Sequence, residues 1–120
     1  IVLVHTSKLI RNFDGFAEDT IKADLTKSGL ANVITDFLSE LTKEVLNRKK
    51  AILITLGGET AYKCCNIINA NQLKLIDEVV PAIALSRSVN SNQWIITKSG
   101  NLGGVNTLID ILKYLTKHEE

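Results

Sequence analysis

The sequence predicts an α/β layered fold with a largely parallel sheet flanked by helices, and three observations carry that prediction. Short strand-like runs at residues 1–5, 51–56, 73–80 and 94–98 alternate with segments whose apolar residues recur at helical spacing. The run AILITL at 51–56 is continuously apolar, which suits a central strand covered on both faces by helices. Two turns containing glycine, Gly57-Gly58-Glu59-Thr60 and Lys98-Ser99-Gly100-Asn101-Leu102-Gly103-Gly104, each stand between a strand-like run and a helical one. Repeated strand, turn and helix units of this kind build a parallel sheet.

Taken in order, residues 1–5 (IVLVH) read as a buried strand that ends at Thr6-Ser7, and 8–15 as a loop, since Asn12, Asp14 and Gly15 are turn formers. Apolar residues at 17, 21 and 25 predict a short helix over 16–25, interrupted by Ser28-Gly29. The strongest pattern follows. Positions 30, 33, 34, 37, 38, 41 and 45 mark one helical face, with Asp36, Glu40, Lys43 and Glu44 opposite. The basic cluster Arg48-Lys49-Lys50 then meets the negative end of that helix's dipole. Residues 60–69 supply a crossover helix, and 73–80 a strand that Pro81 terminates or places near an edge. A short strand at 83–85, a polar loop at 88–92, a strand at 94–98 and a closing helix at 105–115 complete the chain. The stripe of that helix is Val105, Leu108, Ile109, Leu112 and Leu115.

A chain of 120 residues fits one domain, residues 1–120, with a single core. A formal charge of +1, without interleaved aromatic residues, offers no basic field for nucleic acid. No apolar run is long enough to span a bilayer, so no membrane association is expected. The two cysteines, Cys64 and Cys65, are neighbours on a predicted helix, where successive side chains diverge by about 100°. They form no metal-ligand spacing, and at least one reads as a small core residue in a reducing, cytoplasmic compartment. The chain contains no methionine and opens directly on an apolar run, which reads as part of a longer polypeptide.

Chemistry concentrates at the two turns. Adjacent glycines after a strand let the backbone turn sharply and bring amides at a helix start up to an anion. At Gly57-Gly58 alone, a tight strand-to-helix turn and a phosphate cradle are both open readings. Glu59, a carboxylate in the first helical turn, competes with phosphate for the same field and is expected to face ribose hydroxyls or Mg²⁺. Thr60 either contacts phosphate or caps the helix. Lys98, Ser99, Gly100 and Asn101 place a cation and successive amides at a strand end, a pattern suited to an anion-binding nest. The order matches neither a Walker A sequence nor the dinucleotide G-x-G-x-x-G fingerprint, so the residues by themselves indicate an anion or nucleotide cradle.

In sequence, GGET after a strand, the segment EVVPAIALSRS and then KSGNLGG resemble the C-terminal nucleotide-binding domain of the four-carbon acid sugar kinases. The likeness is best over residues 51–115, with a further anchor in IVLVHTS. It implies one half of a two-domain kinase that uses ATP and Mg²⁺ to phosphorylate an acid such as threonate or erythronate. It places ATP contacts at Ser7, Gly57, Gly58, Glu59, Thr60 and Gly100. It assigns the sugar-acid site and the catalytic base to an N-terminal substrate domain of the same polypeptide, leaving Lys98 as a stabiliser of phosphate charge. Leu102 stands where the family has a phenylalanine, and Ala82 and Ala84 where a glycine and a proline are common.

The remaining polar and aromatic candidates read as structural. Trp94 in an apolar strand is core in preference to an adenine-stacking ring. His5 and His118 lack a paired nucleophile or ligand spacing, and Asp77 and Glu78 read as a solvated strand end. The competing reading of the whole is a non-catalytic α/β module that senses a nucleotide or phosphorylated metabolite.

Overall fold

The computed structural model describes residues 2–4, 27–99 and 104–117. The described elements are α1 (Lys27–Arg48), β1 (Leu53–Leu56), α2 (Gly58–Ile67), β2 (Leu73–Val80), β3 (Ile83–Ser88), β4 (Trp94–Lys98) and α3 (Thr107–Lys117). The strands form one sheet in the order β1-β4-β3-β2. Only β1 and β4 are parallel, and the β4–β3 and β3–β2 pairings are antiparallel. The expected largely parallel sheet is therefore corrected to a mixed one, mostly antiparallel.

The reason lies in Pro81 and Ala82. A crossover from β2 to a parallel neighbour needs a dozen or more residues, whereas two residues join β2 to β3 and force an antiparallel hairpin. Pro81 fits the first central position of such a turn, and Ala82 takes the second with φ 67°, the pattern of a type II turn. The left-handed conformation costs an alanine about 1 kcal/mol. Ala82→Gly is thus expected to stabilise the chain by about 1 kcal/mol, read as a higher urea midpoint at unchanged slope.

A central strand with both faces covered does exist, but it is β4. Neighbouring residues Ile95 and Ile96 point to opposite faces, and both are fully buried. On one face Ile96 packs with Val79, Ile83, Leu85 and Ile111 of α3, and with the half-buried Ile54, Trp94 and Tyr114. On the other face lies α2, which packs on β1 and β4 and is itself covered by α1. The run AILITL, expected to be central, carries β1, which is an end strand of the sheet among the described residues, with Ile52 and Leu56 exposed. A continuous apolar run cannot by itself separate these positions. Buried in β1, the Thr55 hydroxyl has no hydrogen-bond partner among the described residues. Thr55→Val keeps the shape and removes that orphaned hydroxyl, so the variant is expected to gain about 1 kcal/mol in thermal or urea unfolding.

Helix α1 begins three residues ahead of the expected apolar face, with Ser28 and Gly29 in its first turn. Leu30 and Ile34 are buried as expected, but Val33, Phe37 and Val45 are exposed, because α2 is less than half the length of α1 and covers only part of its apolar face. The two helices are also joined by a Lys63 Nζ to Asp36 Oδ1 ion pair at 2.8 Å. Arg48 pairs with Glu44 at the end of α1. Strand β3 continues past Leu85 to Ser88 despite its polar sequence, since Arg87 stacks over Trp94 and the Ser88 hydroxyl donates to Asn90. Helix α3 buries Thr107 and Ile111, while Val105 and Ile109 of the expected stripe are exposed. Val105 lies in the turn before α3, where the Thr107 amide donates to the Gly104 carbonyl and the Gly104 amide to the Thr107 hydroxyl. Residues 2–4, expected in a buried strand, are exposed and belong to no strand of the described sheet. The helix expected over 16–25 lies outside the described residues, as do His5 and His118.

Candidate functional site

The parallel pairing of β1 and β4 decides where the two glycine turns sit. Leu56 and Lys98 are partners in register at the C-terminal ends of the two strands. The next amide, Gly57 N–H, donates to the Lys98 carbonyl at 2.7 Å. The turn after β1 and the start of the turn after β4 are thus joined at one end of the sheet. Crevices outside the carboxyl ends of parallel strands are where α/β sheets bind ligands.

Gly57 and Gly58 do different work. Gly57 has φ 109° and ψ 136°, a backbone conformation that a side chain strains, so the turn itself requires glycine there. Gly58 opens α2 with ordinary φ, and a Cβ placed on it would meet nothing within 4 Å. Open space beside an amide at a helix start is what an approaching ligand needs. No side chain caps α2, and its first backbone bond runs from the Ala61 amide to the Gly57 carbonyl at 3.0 Å. The amides of Gly58, Glu59 and Thr60 precede that bond and lie at the positive end of the helix dipole.

Around this turn, Glu59 is exposed in the first turn of α2 and Thr60 is half-buried. The Thr60 hydroxyl makes no cap, since Gly57 holds the cap position with no side-chain bond. Lys98 is half-buried, with Nζ donating to the Ser99 carbonyl at 3.3 Å, and Ser99 is exposed. The structure therefore brings together Gly57, Gly58, Glu59, Thr60, Lys98 and Ser99. Ser7, Gly100 and Asn101 lie outside the described residues.

A shallow groove of about 270 Å³ runs along α2, with Ala61, Tyr62, Cys65 and Thr97 among its walls and Ala70, Asn71 and Leu73 at its far end; none of Gly57, Gly58, Glu59, Thr60, Lys98 and Ser99 lines it. Tyr62 and Thr97 were not singled out in the sequence, although a tyrosine one turn into a helix that follows a glycine turn was a usable signal. Cys64 is buried, 3.5 Å from the Thr42 hydroxyl, as expected of a core residue. Cys65 is half-buried, and burial, with Cys64 adding to it, pushes its thiol above the usual range. Trp94 packs against the α3 core cluster, as the core reading required. Asp77 is tied to α3, accepting a hydrogen bond from Tyr114; that bond foremost, then burial and the carboxylate's charge, raise the tyrosine's pKa. No group of three or more metal-ligating side chains is assembled among the described residues. No described helix is long and apolar enough to cross a membrane.

Against known proteins, the model of a nucleotide-binding C-terminal domain matches residues 1–108. The chain belongs to this family. It is the family whose motifs the glycine turns resemble, the C-terminal nucleotide-binding domain of the four-carbon acid sugar kinases. The fold is similar to that in the crystal structure of the Haemophilus influenzae protein HI1011, of the DUF1537 family, with a TM-score of 0.69 at 18% sequence identity. The match covers 95% of this chain and 24% of that one, so this domain spans about a quarter of its structural neighbour. No curated protein matches the chain.

Proposed function

We infer that this nucleotide-binding domain holds ATP at the corner formed by the β1–α2 turn and the end of β4, and serves a kinase that phosphorylates a four-carbon sugar acid. The observation that carries the reading is the Gly57 to Lys98 backbone bond, which unites the two turns whose sequences resemble the family's ATP contacts. In this reading the amides of Gly58, Glu59 and Thr60 bind phosphate oxygens, and Gly58 leaves them room. Glu59 faces ribose hydroxyls or Mg²⁺, and Lys98 with Ser99 flanks the opposite side. Ser7, Gly100 and Asn101 join the site by resemblance. The acceptor acid and the base that takes its hydroxyl proton belong to an N-terminal substrate domain of the same cytoplasmic polypeptide. Catalysis then rests on positioning and on neutralising phosphate charge across the cleft between domains.

The test is ADP release by the complete polypeptide on a panel that includes threonate and erythronate. Mg²⁺-dependent turnover on one of them is expected, and none from the 120-residue chain alone. Folded, ATP-binding full-length protein that is inactive on every sugar acid would overturn the kinase reading. Within the active protein, Lys98→Ala is expected to lower kcat more than it weakens ATP binding, because a lysine that meets transferred charge acts most in the transition state. A Lys98→Ala enzyme with both parameters unchanged would remove Lys98 from the site.

A further inference from the structure

We propose that the groove along α2 is the base subsite of the nucleotide site, with the adenine ring seated on Thr97 against Tyr62 and recognised by the side-chain amide of Asn66 or Asn71. This inference rests on the nucleotide reading above and adds the part of the ligand that the corner does not hold. Helix α2 packs over β1 and β4. The groove opens along its free flank, between the helix and residues 70–73, which lead into β2. Its floor is Thr97: alternate residues of β4 point to opposite faces and Ile96 joins the α3 cluster, so Thr97 faces α2.

The chain itself connects groove and corner. Ala61 follows Thr60 and Thr97 precedes Lys98, so both walls of the groove begin one residue from the corner. On the helix, Gly58, Tyr62 and Cys65 recur at i, i+4 and i+7 and therefore share a face. A ligand whose phosphate meets the amide of Gly58 finds its next contacts along that stripe. One turn, about 5.4 Å, separates Gly58 from Tyr62, a step that a ribose bridges.

Size and chemistry then select the occupant. Pockets that take a whole ligand start at about 300 Å³, so a groove of about 270 Å³ suits one ring system of a ligand anchored next door. Ala61, Ala70 and Leu73 supply apolar walls, and Tyr62, 69% exposed, offers a ring face for stacking. Adenine presents an amino donor beside a ring-nitrogen acceptor, which an asparagine amide meets with two hydrogen bonds, whereas the paired acceptors of guanine call for arginine or lysine. The lining holds Asn66 and Asn71 and no charged residue. Tyr62 and Asn66 also border a depression on the α1 side, but Asp36 and Glu40 line that one and repel a nucleotide's phosphates.

Calorimetry and NMR on the 120-residue chain with ATP, GTP and inorganic tripolyphosphate separate base from phosphate. ATP is expected to bind about tenfold or more tightly than GTP. Nuclear Overhauser contacts are expected from the ring protons of adenine to methyl groups of Ala61, Leu73 or Thr97, while tripolyphosphate shifts the amides of Gly58, Glu59 and Thr60 without moving those methyls. Tyr62→Ala, at a position the fold leaves largely exposed, is expected to weaken ATP about fivefold or more and to leave tripolyphosphate unchanged, with Tyr62→Phe restoring ATP binding. ATP that shifts the corner amides without contacts to the groove methyls, or that binds Tyr62→Ala as tightly as the unmodified chain, would overturn the base subsite and leave the phosphate corner standing. Equal affinity for ATP and GTP would overturn recognition of adenine by the asparagine amides. No ATP-induced shift at Gly58, Glu59 and Thr60 would remove the nucleotide reading and this inference with it.

Discussion

Gly58→Val is expected to abolish measurable ATP binding, a loss of at least about tenfold in affinity, while the unfolding midpoint moves little. A side chain at Gly58 meets no protein atom within 4 Å, so the fold has room for it. In helix propensity valine is slightly more favourable than glycine, by well under about 1 kcal/mol, so the substitution carries no cost there. The space it fills is the approach to the amides of α2. Gly57→Val supplies the contrast: with φ at 109°, the substitution strains the backbone and is expected to lower stability as well as affinity. Calorimetry with ATP and Mg²⁺, paired with urea unfolding, separates the two. If Gly58→Val binds ATP as the unmodified chain does, no nucleotide passes over that amide.

The second large effect concerns stability. Ile96 and Ile111 are both fully buried and meet in the cluster between β4 and α3. Ile96→Ala or Ile111→Ala is expected to cost about 2–5 kcal/mol, the transfer of the removed groups plus the cavity left behind. That is a large share of the stability of a domain this size, roughly 5–15 kcal/mol. The same change at the exposed Ile109, on the same helix, is expected to cost well under about 1 kcal/mol. Comparable losses at Ile109 and Ile111 in chemical unfolding would mean that α3 docks in another rotation.

The comparison of isoleucines also shows what the sequence could and could not convey. Helical and strand period located α1, α2, β2, β4 and α3 to within a few residues, because local spacing decides element type. Which strand becomes central is decided by pairing: among the described strands WIIT in β4, a weaker run than 51–56, has a neighbour on each side, whereas β1 has one. The sense of the sheet was legible in principle at Pro81-Ala82, whose brevity permits only a hairpin, although the run of βα units suggested otherwise. In α3 the apolar residues reach round most of the helix, so period alone did not choose Ile111 over Ile109 as the buried position. For the site, Gly57-Gly58 and Lys98-Ser99 were visible as turns, but their meeting is a property of the β1–β4 pairing, recorded in one backbone bond that no local pattern encodes. The division of roles between Gly57, needed by the backbone, and Gly58, open to a ligand, required coordinates.

The central claim is that the turn after β1 and the end of β4 form one nucleotide site. Titrating the isotopically labelled chain with ATP and following its backbone amides by NMR tests that claim most directly. The account predicts that Gly57, Gly58, Glu59 and Thr60 shift together with Lys98 and Ser99, along a single saturation curve, while Asp77 and Tyr114 on the α3 side stay in place. Shifts confined to one of the two turns, or centred on the α3 face of the sheet, would contradict it.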